Sequence, residues 1–268
     1  NSIDTKLALA AGRRDEVAES LKKDTVEFYK KIDCADIIVP KEAAFLPPKN
    51  YEPEKLKKIS ENKYEDGNGR IWQVSEVENA VLCVYDPNNK KEFTVEEFEK
   101  NTAANPPDES VFEAFDYLVE HLGKERHICS LSPITAITLL GGFDNGMMMY
   151  ITNPEVIHAA NKKSVRDQNL SDSSYIMKNT DSIFVESDMA GTNAPYISPK
   201  MFRETVFPYM KERITRLKKY RDKVILHNCG MNIPLMDMFI EMGIDCYQSL
   251  QTTAGMEIGK LKSMFGKK

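Results

Sequence analysis

The chain has 268 residues, 41% of them hydrophobic and 29% charged, with a formal net charge of -5. That is the composition of a globular protein with a sizeable core, neither disordered nor fibrous. The acidic balance argues against nucleic acid as a partner, because phosphate binding shows as a basic excess gathered on one face. No apolar run approaches the roughly 20 residues needed to cross a bilayer. Residues 1–16 lack the apolar stretch of a signal peptide, so a cytoplasmic location without a membrane partner is expected. Cys34, Cys83, Cys129, Cys229 and Cys246 are odd in number and widely spaced, which favours reduced thiols over a disulfide framework. The chain opens on Asn1 rather than an initiator Met, as a piece of a longer protein would.

From Asp4 to Lys31 the pattern is charged and helical, with apolar positions at Leu7, Val17, Leu21, Val26 and Phe28. Asp36 to Val39, closed by Pro40, reads as a short buried strand. The polar, Pro-punctuated stretch from Phe45 to Glu65 reads as an excursion. Asp66-Gly67-Asn68-Gly69 is a strong turn signal between Tyr64 and Ile71 to Val74, and Ala80 to Tyr85 offers a further strand, so a small antiparallel insertion is expected over about 64–85. Beyond Pro106 and Pro107, the helical spacing of Val111, Phe115, Leu118 and Leu122 predicts an amphipathic helix.

His127 to Leu131 then begins an alternation of strands and helices: Ser182 to Val185, a helix from Pro199, Lys223 to Leu226, a helix from Pro234, and Ile244 to Gln248. Such alternation is the signature of parallel βαβ units. Ser198 at the N-cap and Pro199 at the first position make the first of these helices the best defined. Pro208 cannot donate to the carbonyl of Glu204, which predicts a kink. The expected architecture is a single α/β domain over residues 1–268, a (β/α)8 barrel of the TIM type lacking its last strands, with its N-terminal start open to truncation as well.

Barrels of this kind place their chemistry at the carboxyl ends of the strands. Three such junctions carry functional residue types: Glu186-Ser187-Asp188, His227-Asn228-Cys229-Gly230 and Tyr247-Gln248-Ser249. His227 and Cys229 are two apart, so a strand running through Cys229 would point both to one face, and both are good zinc ligands. A buried thiol beside a hydrogen-bonded histidine is the competing reading. Glu186 and Asp188 share a parity and suit an acid/base pair, a substrate clamp or an added metal ligand, against the alternative of carboxylates capping nearby amides. Asn145, Met147, Met148 and Met149 read as core filling before cofactor lining. The pocket is expected where Glu186, Asp188, His227 and Gln248 converge.

These junctions carry a resemblance. Asp181 to Ala190, Ile197 to Glu204, Pro208 to Lys211, Leu226-His227-Asn228-Cys229-Gly230, Gly243-Ile244-Asp245, Gln248, Ala254-Gly255-Met256 and Leu261-Lys262 to Phe265-Gly266 follow one another as in the uroporphyrinogen decarboxylase-like superfamily. The His-x-Cys pair resembles the branch of corrinoid-dependent methyltransferases. The resemblance implies zinc at His227 and Cys229, with a later Cys beyond Lys268 as third ligand; without that Cys an open two-ligand site would lose its ion or recruit Glu186 or Cys246. It also implies a corrinoid (cobalamin) carried by a partner protein and a small-molecule methyl donor or acceptor. Catalytic roles for Glu186 and Asp188, substrate contacts from Asn228, Tyr247 and Gln248, and a homodimer complete the expectation. A tetrapyrrole decarboxylase and a non-catalytic corrinoid- or partner-binding barrel are the alternatives.

Overall fold

The computed structural model describes residues 3–266 apart from 33, 54, 78, 79, 101–105 and 178. Asn1, Lys268 and the side chain of Leu7 lie outside the described residues. The chain divides into two compact units, Asn1–Lys91 with Pro107–His127, and Glu92–Pro106 with Ile128–Lys268.

In the first unit the expected N-terminal helix is two, α1 (Ile3–Ala10) and α2 (Arg14–Ile32). Gly12 adopts φ +76°, and its N–H and that of Arg13 close onto Leu9 and Ala8 carbonyls, which ends α1. Strand β1 (Ile37–Ile38) and helix α3 (Lys41–Ala44) follow. The antiparallel insertion is a four-stranded meander of β2 (Lys57–Ser60), β3 (Lys63–Glu65), β4 (Ile71–Ser75) and β5 (Ala80–Tyr85). Its first strand lies inside the stretch read as an excursion. Lys57, Lys58, Ile59 and Ser60 are all exposed, so no apolar alternation announces the strand and main-chain pairing with β3 makes it.

The turn at Asp66 is held electrostatically. Its carboxylate is enclosed and accepts from the amides of Asn68 and Arg70, the Arg70 guanidinium and the Trp72 indole. Burial alone would raise this carboxyl's pKa, but the hydrogen bonds from Trp72, Arg70 and Asn68 overcome that and bring it to about 2. A folded pKa below the unfolded value contributes stability that is complete above about pH 4 and is lost as pH falls toward 2. The melting temperature of wild type should therefore drop across that window more steeply than that of Asp66→Asn; parallel pH profiles would remove Asp66 from the account.

Helices α4 (Val95–Glu99) and α5 (Glu113–Leu122) fall in the second and first units respectively. Helix α5 buries Phe115, Leu118 and Leu122 as its spacing predicts and packs on α2.

The second unit is a parallel sheet with helices between its strands: β6 (His127–Leu131), β7 (Ser182–Glu186), β8 (Val224–His227) and β9 (Cys246–Gln248), hydrogen-bonded in that order. This is part of a TIM-type α/β barrel. Between β6 and β7 run α6 (Phe143–Thr152) and α7 (Pro154–Tyr175). Helices α8 (Pro199–Thr205) and α9 (Phe207–Leu217) join β7 to β8, α10 (Met236–Met242) joins β8 to β9, and α11 (Ile258–Phe265) follows.

Ser198 caps α8 by accepting from the Met201 amide, and the expected kink at Pro208 is a break at Val206. Alternate strand residues Ile183, Val185, Val224 and Leu226 share a core with Phe202, Met210, Ile214, Leu217 and Phe239 from the helices. Met149 joins that core while Met148 is exposed. Arg213, fully buried, pairs with Asp172 and donates to Ser132 and the Pro133 carbonyl, tying α9 and α7 to the segment after β6.

Candidate metal centre

Because side chains alternate along a strand, the face of the sheet turned away from the helices carries Phe184 and Glu186, Ile225 and His227, Cys246 and Gln248. Parallel register then sets Glu186 beside His227 and His227 beside Gln248. The row lies at the strands' carboxyl ends. Glu186 and Gln248 are exposed, and the His227 side chain retains 18% of its surface.

Cys229 reaches His227 by a route other than the one its spacing suggests. Strand β8 ends at His227, and a loop built from hydrogen bonds brings the thiol back. The Asn228 amide donates to the Gln248 carbonyl at 2.7 Å, the Cys229 amide to Asp188 Oδ1 at 2.7 Å, and the Gly230 amide to Gln251 Oε1 at 2.9 Å. Gly230 turns the chain at φ +88° directly against the backbone of Ala190 and Gly191. The Cys229 sulfur then lies 3.5 Å from His227 Nε2 and 3.9 Å from Ser249 Oγ. His227 Nδ1, on the other side of the ring, meets the side-chain oxygen of Gln248.

The third member of the cluster is Asp188, whose Oδ1 is 3.7 Å from His227 Nε2. One ligand atom each from Asp188, His227 and Cys229 lies within 4.8 Å of the others. A tetrahedral zinc with bonds of about 2.0–2.3 Å keeps its ligand atoms roughly 3.3–3.8 Å apart. The 3.5 Å and 3.7 Å separations from His227 Nε2 fall in that range. The charges fit as well, since a thiolate, a carboxylate and a neutral imidazole together balance a divalent ion. The residues present therefore suit zinc with an open fourth position.

Asp188, expected beside Glu186 as half of a catalytic pair, parts from it. Glu186 ends β7 on the sheet face, whereas Asp188 lies in the following loop, fixed by the Cys229 amide. Cys246 sits one pleat below Gln248, opposite Ile225, and burial pushes its thiol pKa up.

Asn228 and Tyr247, expected to touch substrate, stand behind the site. Asn228 is fully buried; its side-chain oxygen accepts from the Met189 amide and its side chain pairs with Asn232. Tyr247 faces the helices, stacked on Phe239 at 5.9 Å, and donates its hydroxyl to the Asn228 carbonyl. Burial pushes its pKa well up, so that hydroxyl stays a donor. These residues brace the loop. Asn232 and Gln251, which also hold it, escaped the sequence reading, since nothing in a lone amide marks such a role, whereas Ser249, named at its strand end, lies beside the thiol.

A family model described as Uroporphyrinogen decarboxylase (URO-D) matches residues 85–266, more than half of the chain and the whole of this site. Among solved structures, a methyltransferase from Methanosarcina mazei is similar at 15% identity, over 54% of this chain and 44% of that one, with a TM-score of 0.38. The chain thus spans less than half the length of that structure. None of the curated proteins matches it. No helix among the described residues is long and apolar enough to cross a membrane.

Proposed function

This chain belongs to the uroporphyrinogen decarboxylase family, a family of enzymes, and we propose that it takes part in zinc-assisted methyl transfer between a corrinoid on a partner protein and a small thiol or methylated substrate. The observation that carries this reading is the convergence of Asp188, His227 and Cys229, whose ligand atoms lie within 4.8 Å of one another. A tetrapyrrole decarboxylase needs only a shaped and charged mouth, and a thiolate, an imidazole and a carboxylate aimed at one point are not required for it.

His227, Cys229 and Asp188 would hold the ion, which when bound supplies Lewis-acid activation of a sulfur or oxygen centre. The exposed part of the cluster is the approach for substrate, because Asp188 keeps 52% of its side-chain surface while Asn228 below it is sealed. Glu186, the neighbour of His227 on the next strand, is the group we assign to holding a substrate proton or polar head there. Asp188 orients the loop as well as offering an oxygen.

The test is metal analysis of purified protein together with methyl transfer from methylcobalamin to a small thiol. We expect close to one zinc per chain, loss of transfer on chelation and recovery on zinc addition. Methyl transfer that persists without metal would remove zinc from this reading, and uroporphyrinogen decarboxylation indifferent to chelator would replace it with the decarboxylase.

A further inference from the structure

A histidine binds a metal through only one ring nitrogen, and which one is free depends on what holds the proton of the other. Without a partner, the neutral side chain favours its proton on Nε2. In this site that would aim an N–H at Cys229 Sγ, 3.5 Å away, and at Asp188 Oδ1, 3.7 Å away, closing the position where the donor atoms converge. The structure places the side-chain oxygen of Gln248 against Nδ1 instead.

That placement is built into the sheet. Gln248 is the register partner of His227, and the Asn228 amide holds the Gln248 carbonyl at 2.7 Å, so the two side chains leave neighbouring strands at one level and on one face. A long side chain at position 248 reaches the near edge of the imidazole and leaves the far edge to the cluster.

We infer that Gln248 is a positioning residue: its side-chain carbonyl accepts a hydrogen bond from the Nδ1–H of His227 and leaves the Nε2 lone pair facing Cys229 and Asp188. This replaces the substrate contact expected of Gln248 from the sequence, and as far as it concerns zinc it rests on the function proposed above. The tautomer itself does not, because the hydrogen bond exists with or without an ion.

The experiment follows the His227 ring nitrogens by long-range 15N–1H correlation in metal-free protein at alkaline pH, for wild type, Gln248→Met and Gln248→Glu, and measures zinc affinity of each by chelator competition. Gln248 is exposed, so neither variant disturbs the core. Methionine keeps length and removes the acceptor; glutamate keeps an acceptor. The expected result is a proton on Nδ1 in wild type and Gln248→Glu, a shift toward Nε2 in Gln248→Met, and zinc binding about 10–100-fold weaker in Gln248→Met alone.

A wild-type His227 protonated on Nε2, or a Gln248→Met protein with unchanged ring signals, would overturn the inference. Ring signals as expected with no zinc bound by any form would uphold the role of Gln248 while removing the metal from the proposed function.

Discussion

Cys229→Ser is expected to weaken zinc binding by at least about a hundredfold, more than the loss of any residue that only supports a ligand, and to take methyl transfer down with it. The ion binds the thiol in its deprotonated form, and at neutral pH a serine hydroxyl offers neither that charge nor a soft donor. The exchange leaves the loop intact, because the hydrogen bond to Asp188 comes from the Cys229 amide rather than its side chain. Asp188→Asn is the informative comparison. It keeps an oxygen for that amide and a neutral donor for an ion, so its loss of affinity should be the smaller of the two. Zinc per chain and chelator titration on the wild type and both variants check this. Equal zinc in wild type and Cys229→Ser would show that the sulfur is no ligand.

The barrel was legible where local chemistry and tertiary packing agree. His127 to Leu131, the cap at Ser198 and Pro199, and the break at Val206 before Pro208 each follow from residues whose local preference matches their place in the fold. Helices α6 and α7 were not legible. Helix α7 buries Asn161 and Asp172 through specific partners, so polar residues stand where a core stripe would be sought. At the site, the residues of the strand-end row could be foreseen, because parity and register follow from counting. The loop could not. Cys229 approaches His227 through Asn228, Gly230 and Gln251, whose hydrogen bonds join segments some 20 to 40 residues apart in sequence. For the same reason the sequence left the third donor open among Asp188, Glu186, Cys246 and a residue beyond the chain, and the contact of Asp188 with the Cys229 amide is what brings its carboxylate to the cluster.

Gly230→Ala is expected to destabilise the protein by about 3–5 kcal/mol and to abolish stoichiometric metal binding. Two effects add. The residue holds φ +88°, which side chains larger than hydrogen rarely adopt, and an added Cβ would stand 2.2 Å from the Ala190 carbonyl oxygen, 2.6 Å from its carbon and 2.8 Å from the Gly191 oxygen. All three are backbone atoms, and the segment carrying them is held by bonds of its own: Gly191 donates to the Ala194 carbonyl, Ala190 bridges to Pro195, and Tyr196 donates to the Met189 carbonyl. Relief must come from lifting the 228–231 loop, which carries Cys229 away from His227. Gly255→Ala separates the two effects, since Gly255 has φ +76° but meets nothing within 4 Å of an added Cβ. It should lose only the conformational part, about 1–2 kcal/mol, and leave the proposed zinc binding unchanged. Denaturant unfolding of the three proteins with zinc analysis beside it makes the comparison. Similar losses for the two variants would mean that the close approach of the loop to Ala190 is not what fixes the site.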